Sequence, residues 1–410
     1  MPKFDNIISG FWGNTAKNKL IYTFGALAFF FVLFDGIITY LLPLIIVEHG
    51  FSKTMLGIIL GTAAISGAFF DFTIYKIFKE VIYRRLFILM FALAFVYIFI
   101  VWIANVFLLY LVAMAMWGFY YDLKNFGTLD FISRYSRKKD LSTNFGIVQI
   151  FQSIGYLLAP LIAGFVIIES VGYKPFILAT VFLFVSLFFF IMLIINARGK
   201  KHFLPLEEKR PKINFLKEFD RWKKVGLVIF PVLALAAFMA LYDSFFMAIG
   251  PIFGETLPME PFDGLFIFAY LLPAAIIGGL VGTFTKKFGE KKTALFGLFL
   301  GSAILSTLFF SSSPLIIIVT VFIAACFTSL VSPIIHTIYA NYIHQSQKYK
   351  KEIQELGDFS SNFGYIIGPI TAGFIADKLG NLATFLVLGL MGIFFALILF
   401  IFMPKKFSLK

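Results

Sequence analysis

Apolar segments of roughly 20 residues recur along the whole chain and are separated by short hydrophilic gaps. Each segment is long enough to cross a hydrocarbon core of about 30 Å as an α-helix. The pattern predicts an all-α integral membrane protein with twelve transmembrane helices. The predicted helices span residues 20–47, 55–75, 86–104, 107–130, 142–168, 174–196, 225–253, 262–285, 292–310, 314–342, 355–377 and 382–403.

One long hydrophilic stretch, residues 198–224, divides the predicted helices into two sets of six. It contains ten lysines and arginines against four acidic residues, which is typical of a segment outside the membrane. We therefore expect an N-terminal six-helix bundle in residues 1–197, a basic cytoplasmic linker in 198–224 and a C-terminal six-helix bundle in 225–410.

The basic residues of the remaining gaps are distributed unequally between the two sides of the membrane. If the linker is cytoplasmic, the gaps on its side hold Lys76, Lys79, Arg84 and Arg85; Arg134, Arg137, Lys138 and Lys139; Lys286, Lys287, Lys291 and Lys292; and Lys348, Lys350 and Lys351. The opposite gaps contribute Lys53, Lys174 and Lys378 alone. The positive-inside rule then predicts a multi-pass protein of the plasma or inner membrane with both termini in the cytoplasm. Below, the side of the linker and of these four groups is called the basic side.

Composition agrees with this interpretation, since 60% of the 410 residues are hydrophobic, 14% are charged and the mean hydropathy is +0.92. The net charge of +13 lies in the hydrophilic gaps, so it reflects topology and does not indicate nucleic-acid binding. The single cysteine, Cys326, lies inside an apolar segment, and no motif predicts a metal site or a cofactor.

The two halves of the chain also repeat each other. The segment from Gly155 reads GYLLAPLIAGF, and the segment from Gly364, 209 residues later, reads GYIIGPITAGF. Asp35 is followed eight residues on by a proline, and so is Asp243, at an offset of 208 residues. Nearly the same offset in two pairs of helices indicates an internal duplication.

Six plus six helices, a basic central linker and the repeated G-Y-x-x-x-P-x-x-A-G segment resemble the major facilitator superfamily of secondary transporters. The segment GTFTKKFGEKK from Gly282 is similar to that family's loop motif G-x-L-A-D-R-x-G-R-R, although Lys286 stands where the family has Asp. The first half keeps Gly67 and Asp71 of the same motif. The resemblance implies that these positions and Gly289 control the cytoplasmic side, while the alternative for Asp71 is that it marks a helix end.

Asp35 and Asp243 lie well inside the first and seventh predicted helices, where an ionised group needs a partner, a proton or a water-filled cavity. Thr39 lies one turn after Asp35 on the same face. In a transporter of two repeats these helices face each other, so the carboxylates would converge near the membrane midplane. Burial favours the neutral form of a carboxyl group, which is the basis of proton coupling. The alternative is a neutral aspartic acid that joins neighbouring helices by hydrogen bonds.

The fourth predicted helix presents Trp117, Tyr121 and Lys124 on one face, with Asn125 beside them and Asp122 on the flank. Asp122 and Lys124 do not point together, because residues two apart on a helix do not face each other. Lys124 therefore either neutralises Asp35 or binds an anionic group of a substrate. The alternative is that its side chain reaches towards the cytoplasmic interface.

Three further helices carry polar faces that we expect to line a substrate cavity. They contribute Ser332 and His336 in the tenth helix, Gln149, Gln152 and Tyr156 in the fifth, and Asp358, Asn362 and Tyr365 in the eleventh. Gln149 in the fifth helix is equivalent to Asp358 in the eleventh, so the two halves differ in charge at this position. A proton or cation site in one half alone requires such a difference. The alternatives are that His336 is a satisfied buried group and that Asp358 is simply hydrated near the cytoplasmic end.

These features predict a secondary transporter that moves a small solute by alternating access, coupled to protons through Asp35, Asp243, Asp358 and Asp122. Export of hydrophobic or cationic compounds in exchange for protons is favoured over uptake of a sugar or other metabolite. A non-transporting sensor or lipid-handling protein on the same fold is the third possibility. An enzyme is disfavoured because the sequence has no soluble domain and no G-x-x-x-x-G-K-[ST] loop. The expected partners are the solute, protons and the lipid bilayer, with the protein acting as a monomer.

Overall fold

The computed structural model describes residues 19–77, 82–167, 171–198, 215–277 and 280–403, without the side chains of 71–77, 139, 215–221 and 347. Every regular element within these ranges is a helix. This follows from the apolar sequence, because a helix satisfies its own backbone hydrogen bonds where no water is available.

The first half contains six long helices, one for each predicted span. They are α1 (Lys19–Glu48), α2 (Lys53–Ile77), α3 (Tyr83–Ile103), α4 (Phe107–Tyr135), α5 (Leu141–Val166) and α6 (Lys174–Ala197). A short 3₁₀ helix, Lys138–Asp140, precedes α5.

The second half contains eight helices, because two predicted spans are each divided. The helices are α7 (Phe215–Glu255), α8 (Leu265–Ile277), α9 (Val281–Phe288), α10 (Glu290–Thr307), α11 (Pro314–Thr328), α12 (Val331–Gln345), α13 (Lys350–Leu379) and α14 (Asn381–Phe402). Two 3₁₀ helices, Leu308–Phe310 and Gln347–Tyr349, follow α10 and α12.

Three boundaries differ from the prediction. The predicted eighth helix is divided into α8 and α9, which are inclined by 66° to each other. The predicted tenth helix breaks between α11 and α12, because Pro333 has no N–H to donate to the carbonyl of Ser329 and its ring clashes with that carbonyl. In addition, α7 begins at Phe215, inside the stretch predicted to be a linker.

Nine helical segments among the described residues are long and apolar enough to cross a membrane, with α11 and α12 taken as one, and the bent pair α8 and α9 makes ten. The two remaining long helices, α4 and α13, carry several charged residues and do not pass the same test. The total of twelve spans therefore stays a prediction.

Helix α1 is the most enclosed element and is buried on nearly all faces between α5 and α6. Helix α7 packs mainly against α13 in the second half. The two halves meet where α2 packs on α13, α5 on α8 and α1 on α7.

Glycines bring the backbones of the two halves into direct contact. A Cβ at Gly57 of α2 would overlap the carbonyl oxygen of Pro369 in α13, and one at Gly264 would overlap that of Pro160 in α5. These contacts involve the first residues of α2 and the segment before α8, together with the last turns of α5 and α13. The halves are therefore closed against each other on the side opposite the basic side.

We predict that Gly57→Ala lowers the thermal stability of the purified protein. The added methyl group has no space beside the Pro369 backbone, and overpacking of this kind costs about 1–3 kcal/mol. Gly146→Ala in α5 is the matched control, because nothing lies within 4 Å of its Cβ position and alanine favours a helix by up to about 1 kcal/mol. Thermal unfolding in detergent measures both variants. Equal melting temperatures for the two would contradict the close contact of α2 with α13.

Candidate functional site

A cavity of about 470 Å³ lies where the two halves meet. Its wall is formed by α1, α2, α4 and α5 of the first half, and by α7, α8 and α13 of the second, with one residue from α3. Ten predicted site residues line it: Asp35, Thr39, Gly67, Trp117, Tyr121, Asp122, Tyr156, Asp243, Asn362 and Tyr365.

Asp35 is the most enclosed charged group of the cavity, with a relative exposure of 1%. Its Oδ1 accepts hydrogen bonds from Trp117 Nε1 at 2.9 Å and from the Tyr120 hydroxyl at 2.6 Å. Its Oδ2 accepts a third from the Tyr156 hydroxyl at 3.2 Å. Helices α4 and α5 thus replace the water that a carboxylate would otherwise bind.

The basic residue Lys124 is connected to these hydrogen bonds around Asp35. Its side chain is buried, and Nζ donates to the Tyr156 hydroxyl at 3.4 Å. Nζ also lies 3.9 Å from the centre of the Tyr121 ring, within the range of a cation–π contact. The Tyr156 hydroxyl therefore connects the ammonium group of Lys124 to the carboxylate of Asp35.

Asp243 occupies the related position in the second half and has a simpler environment. Its Oδ1 accepts a hydrogen bond from the Tyr270 hydroxyl at 2.9 Å, and its Oδ2 accepts one from the Tyr365 hydroxyl at 3.0 Å. The Tyr270 ring is fixed by stacking on Phe246 at 3.8 Å between centroids. The side chain is half-buried and borders the cavity.

The internal repeat extends to these contacts. Tyr156 and Tyr365 are equivalent residues of the repeated segment, and each donates to the aspartate of its own half. The remaining donors are Trp117 and Tyr120 of α4 and Tyr270 of α8, and these two helices are not equivalent in the repeat. The two halves thus share one tyrosine–aspartate contact and differ in the groups around it.

Aromatic and sulfur-containing side chains form much of the remaining wall. The rings of Trp117 and Tyr121 stack at 5.0 Å, and Met114 and Met247 also line the cavity. Such a surface suits a flat or apolar part of a solute, since methionine and aromatic rings adapt to varied shapes.

Polar contacts close the cavity on the side opposite the basic side. The hydroxyl of Tyr40 in α1 donates to Glu255 at the end of α7 at 3.2 Å. The carboxylate of Asp377 in α13 accepts hydrogen bonds from the backbone N–H groups of Lys53 and Thr54 and from the Thr54 hydroxyl, at 3.0, 2.8 and 2.6 Å. A residue of the second half therefore caps the first turn of α2 in the first half.

Several predicted site residues do not line the cavity. Asn125, Gln149, Ser332, His336 and Asp358 are exposed, and Gln152 is half-buried. Of the loop motif, Gly67 lies at the contact of α2 with α4, and Gly282, Lys286 and Gly289 are exposed. Gly289 has a positive φ of 83°, which explains why the motif needs glycine there. The side chain of Asp71 lies outside the described residues, as do Gly278 and Gly279 between α8 and α9 in the sequence.

The sequence did not identify Tyr120 and Tyr270 as partners of the two aspartates. Tyr120 lies three residues after Trp117, so helical spacing could have placed both on the face towards α1. Tyr270 has no counterpart in the repeat and no polar neighbour at helical spacing, so no comparable signal was present. Among the described residues, no cluster of histidine, cysteine and acidic side chains could hold a metal ion.

The sequence of this chain matches the profile of a known protein family. The sequence profile of the Major Facilitator Superfamily matches residues 24–350 and 233–409. A comparison of the sequence with curated proteins finds no match.

Solved transporter structures share the fold. The nucleoside transporter NupG has a TM-score of 0.74 at 13% identity, over 94% of this chain and 100% of that one. The peptide transporter POT in complex with sulfate has a TM-score of 0.74 at 14% identity, over 95% of each chain. A bacterial homologue of the human lysosomal transporter Spinster, inward-facing and occupied, has a TM-score of 0.72 at 13% identity, over 96% and 98%. The profile match confirms the predicted family resemblance, and the structural matches confirm the predicted fold class.

We predict that Asp377→Ala loosens the closed side. The substitution removes three accepted hydrogen bonds between the halves, and one bond to a charged group contributes about 1.5 kcal/mol, enough to change the ratio of closed to open molecules about tenfold. Spin labels at the exposed positions Met55 and Leu379 should report a new population at longer distance. Thr54→Ser, which keeps the hydroxyl group, is the control. An unchanged distance distribution in Asp377→Ala would contradict the role of this contact.

Proposed function

The chain belongs to the Major Facilitator Superfamily and is a transporter, not an enzyme, and on that premise we propose that it exports a small solute in exchange for protons. The observation that carries the proposal is the cavity between the halves, in which two carboxylates receive hydrogen bonds from repeat-related tyrosines. A transporter needs a site that both halves share, because only such a site changes its access when the halves move.

Alternating access is supported by the distribution of contacts between the halves. Glycine contacts and the Asp377 cap hold the side opposite the basic side closed. Towards the basic side, Asp358 lies two turns from Tyr365 on the same face of α13 and is exposed. We propose that solute enters from this side and that residues 1–197 and 225–410 rock about the site as two bodies, joined by the linker 198–224.

Proton coupling follows from the chemistry of the cavity. A carboxyl group shielded from water is neutral when protonated and needs a cation or fixed donors when ionised. Asp35 and Asp243 meet this description, because each is held by hydroxyl donors at a site reached by both halves. Proton uptake from one side and release to the other would then drive the conformational cycle.

The cargo we propose is a hydrophobic or cationic compound. The cavity wall contains three carboxyl side chains, Asp35, Asp122 and Asp243, against the ammonium group of Lys124 bound at its edge. Its apolar part includes the stacked rings of Trp117 and Tyr121. Because the basic side is the cytoplasmic side by the positive-inside rule, movement from it is export from the cell. The site is complete within one chain, so a monomer is sufficient.

We predict that Asp35→Asn combined with Asp243→Asn abolishes flux driven by a pH gradient. The purified protein is reconstituted in liposomes, and ethidium, a monovalent aromatic cation, is the probe of transport. Asparagine keeps the hydrogen-bonding shape but cannot exchange a proton, so the gradient should lose its effect on ethidium movement.

Asp140→Asn is the control, because this carboxylate lies at the end of the 3₁₀ helix Lys138–Asp140, where it pairs with Arg137 outside the cavity. It should transport at the rate of the unmodified protein. If pH-driven flux persists in the double variant, proton coupling by these aspartates is wrong. Absence of flux in every protein, including the unmodified one, would favour uptake of a different metabolite or a non-transporting sensor.

A further inference from the structure

The two aspartates of the repeat differ in the charge that surrounds them. Both accept a hydrogen bond from the equivalent tyrosine of their own half, at 3.2 Å for Asp35 and 3.0 Å for Asp243. Beyond this shared contact, a basic residue is connected to Asp35 but not, among the described residues, to Asp243. Equivalent positions with unequal charge partners can perform different tasks.

Asp35 lies in a charge-balanced network. Its two oxygens receive three hydrogen bonds, and the third donor, Tyr156, in turn receives one from Lys124. Both Asp35 and Lys124 are buried, with relative exposures of 1% and 6%. A buried carboxylate and a buried ammonium joined through one hydroxyl sum to zero charge, so this half needs no further ion.

Asp243 has hydrogen-bond donors but, in the part of the chain that the structure describes, no compensating cation. Tyr270 from α8 and Tyr365 from α13 are the titratable groups in contact with it, and both are phenols. Helices α1, α2, α12 and α14 also pack against α7, and no charged side chain of their described residues is bonded to Asp243. Asp122, the third carboxyl group of the cavity, lies against α2, where a Cβ at Gly67 would be 3.0 Å from its Oδ2.

Building on the proposed transport function and narrowing its proton coupling from two aspartates to one, we infer that Asp243 is the carboxyl group that exchanges a proton for the cationic group of the cargo. Asp35 is instead an ionised positioning residue that holds Lys124 through Tyr156. When the cation arrives, the Asp243 carboxyl group releases its proton to water on the open side and the carboxylate pairs with the cation. When the cation leaves, the carboxylate takes up a proton from the other side. The site is neutral in both states.

The roles of the two aspartates determine which gradient drives transport. One proton is exchanged for one monovalent cation, so no net charge crosses the membrane in a cycle. A pH gradient therefore drives the exchange, and a membrane potential alone does not.

Carbodiimide labelling tests the assignment without any transported solute. Dicyclohexylcarbodiimide adds to a protonated carboxyl group in an apolar environment, with the acid proton moving to a carbodiimide nitrogen and the whole reagent retained as a stable acylurea. We expect an adduct on the peptide that contains Asp243, with a yield that falls as the pH rises. Asp243→Asn should lose this adduct and Asp35→Asn should keep it. An adduct at Asp35 in the unmodified protein, or none at Asp243, would overturn the assignment.

Variants of Lys124 test the positioning role with a readout that a packing role would not move. In Lys124→Met, Asp35 loses the cation that balances it, so it should bind a proton and acquire the carbodiimide adduct. Lys124→Arg keeps the charge and should leave Asp35 unlabelled. If Lys124→Met and Lys124→Arg label alike, Lys124 does not balance Asp35 and the inference fails.

Experiments with ethidium then test the proposed cargo separately from the proton-exchange role assigned to Asp243. Protection of Asp243 by ethidium, together with exchange that responds to a pH step but not to a potassium-diffusion potential, supports the full inference. Exchange driven by the potential alone contradicts the one-for-one stoichiometry. Labelling of Asp243 with no ethidium transport at all would instead reject the proposed cargo and uphold the role of the carboxyl group.

Discussion

A carboxylate inside a bilayer has no water to stabilise it, so the protein must bring hydrogen-bond donors to it from other helices. Around Asp35 the donors come from α4 and α5, and around Asp243 they come from α8 and α13. Each aspartate therefore ties three helices together at the cavity. The arrangement of the helices and the chemistry of the site are consequently determined by the same contacts, and neither can change without the other.

The contact between the two halves is stabilised in a different way. Helices such as α2 and α13 gain little from apolar burial in lipid, because lipid tails are as apolar as their side chains. Glycines at Gly57 and Gly373 instead let the backbones approach closely, and a few polar contacts such as the Asp377 cap add direction. Contacts of this kind contribute modestly and can be broken as a unit, which suits a surface that must open during transport.

The sequence predicted the parts of this structure that depend on the length of apolar segments and on the internal repeat. Continuous apolar segments located the six helices of the first half within a few residues, and the repeat identified Asp35, Asp243, Tyr156 and Tyr365, which the structure brings to one cavity. Tyr270 could not be predicted, because its contact with Asp243 depends on how α8 packs against α7. The break before α12 was detectable from Pro333, whereas no residue pattern that we used predicted the bend between α8 and α9.

Duplication explains why the two halves provide similar frameworks, and divergence at a few positions explains why they need not do the same chemistry. At the offset of 208 residues that relates the two aspartates, the position equivalent to Lys124 is Ser332. Ser332 is exposed and carries no charge, so it offers no counterpart to the ammonium group that Tyr156 connects to Asp35. A single lysine on one side of the pseudo-symmetric pair therefore leaves one carboxyl group compensated and the other available to ions that arrive from outside the protein.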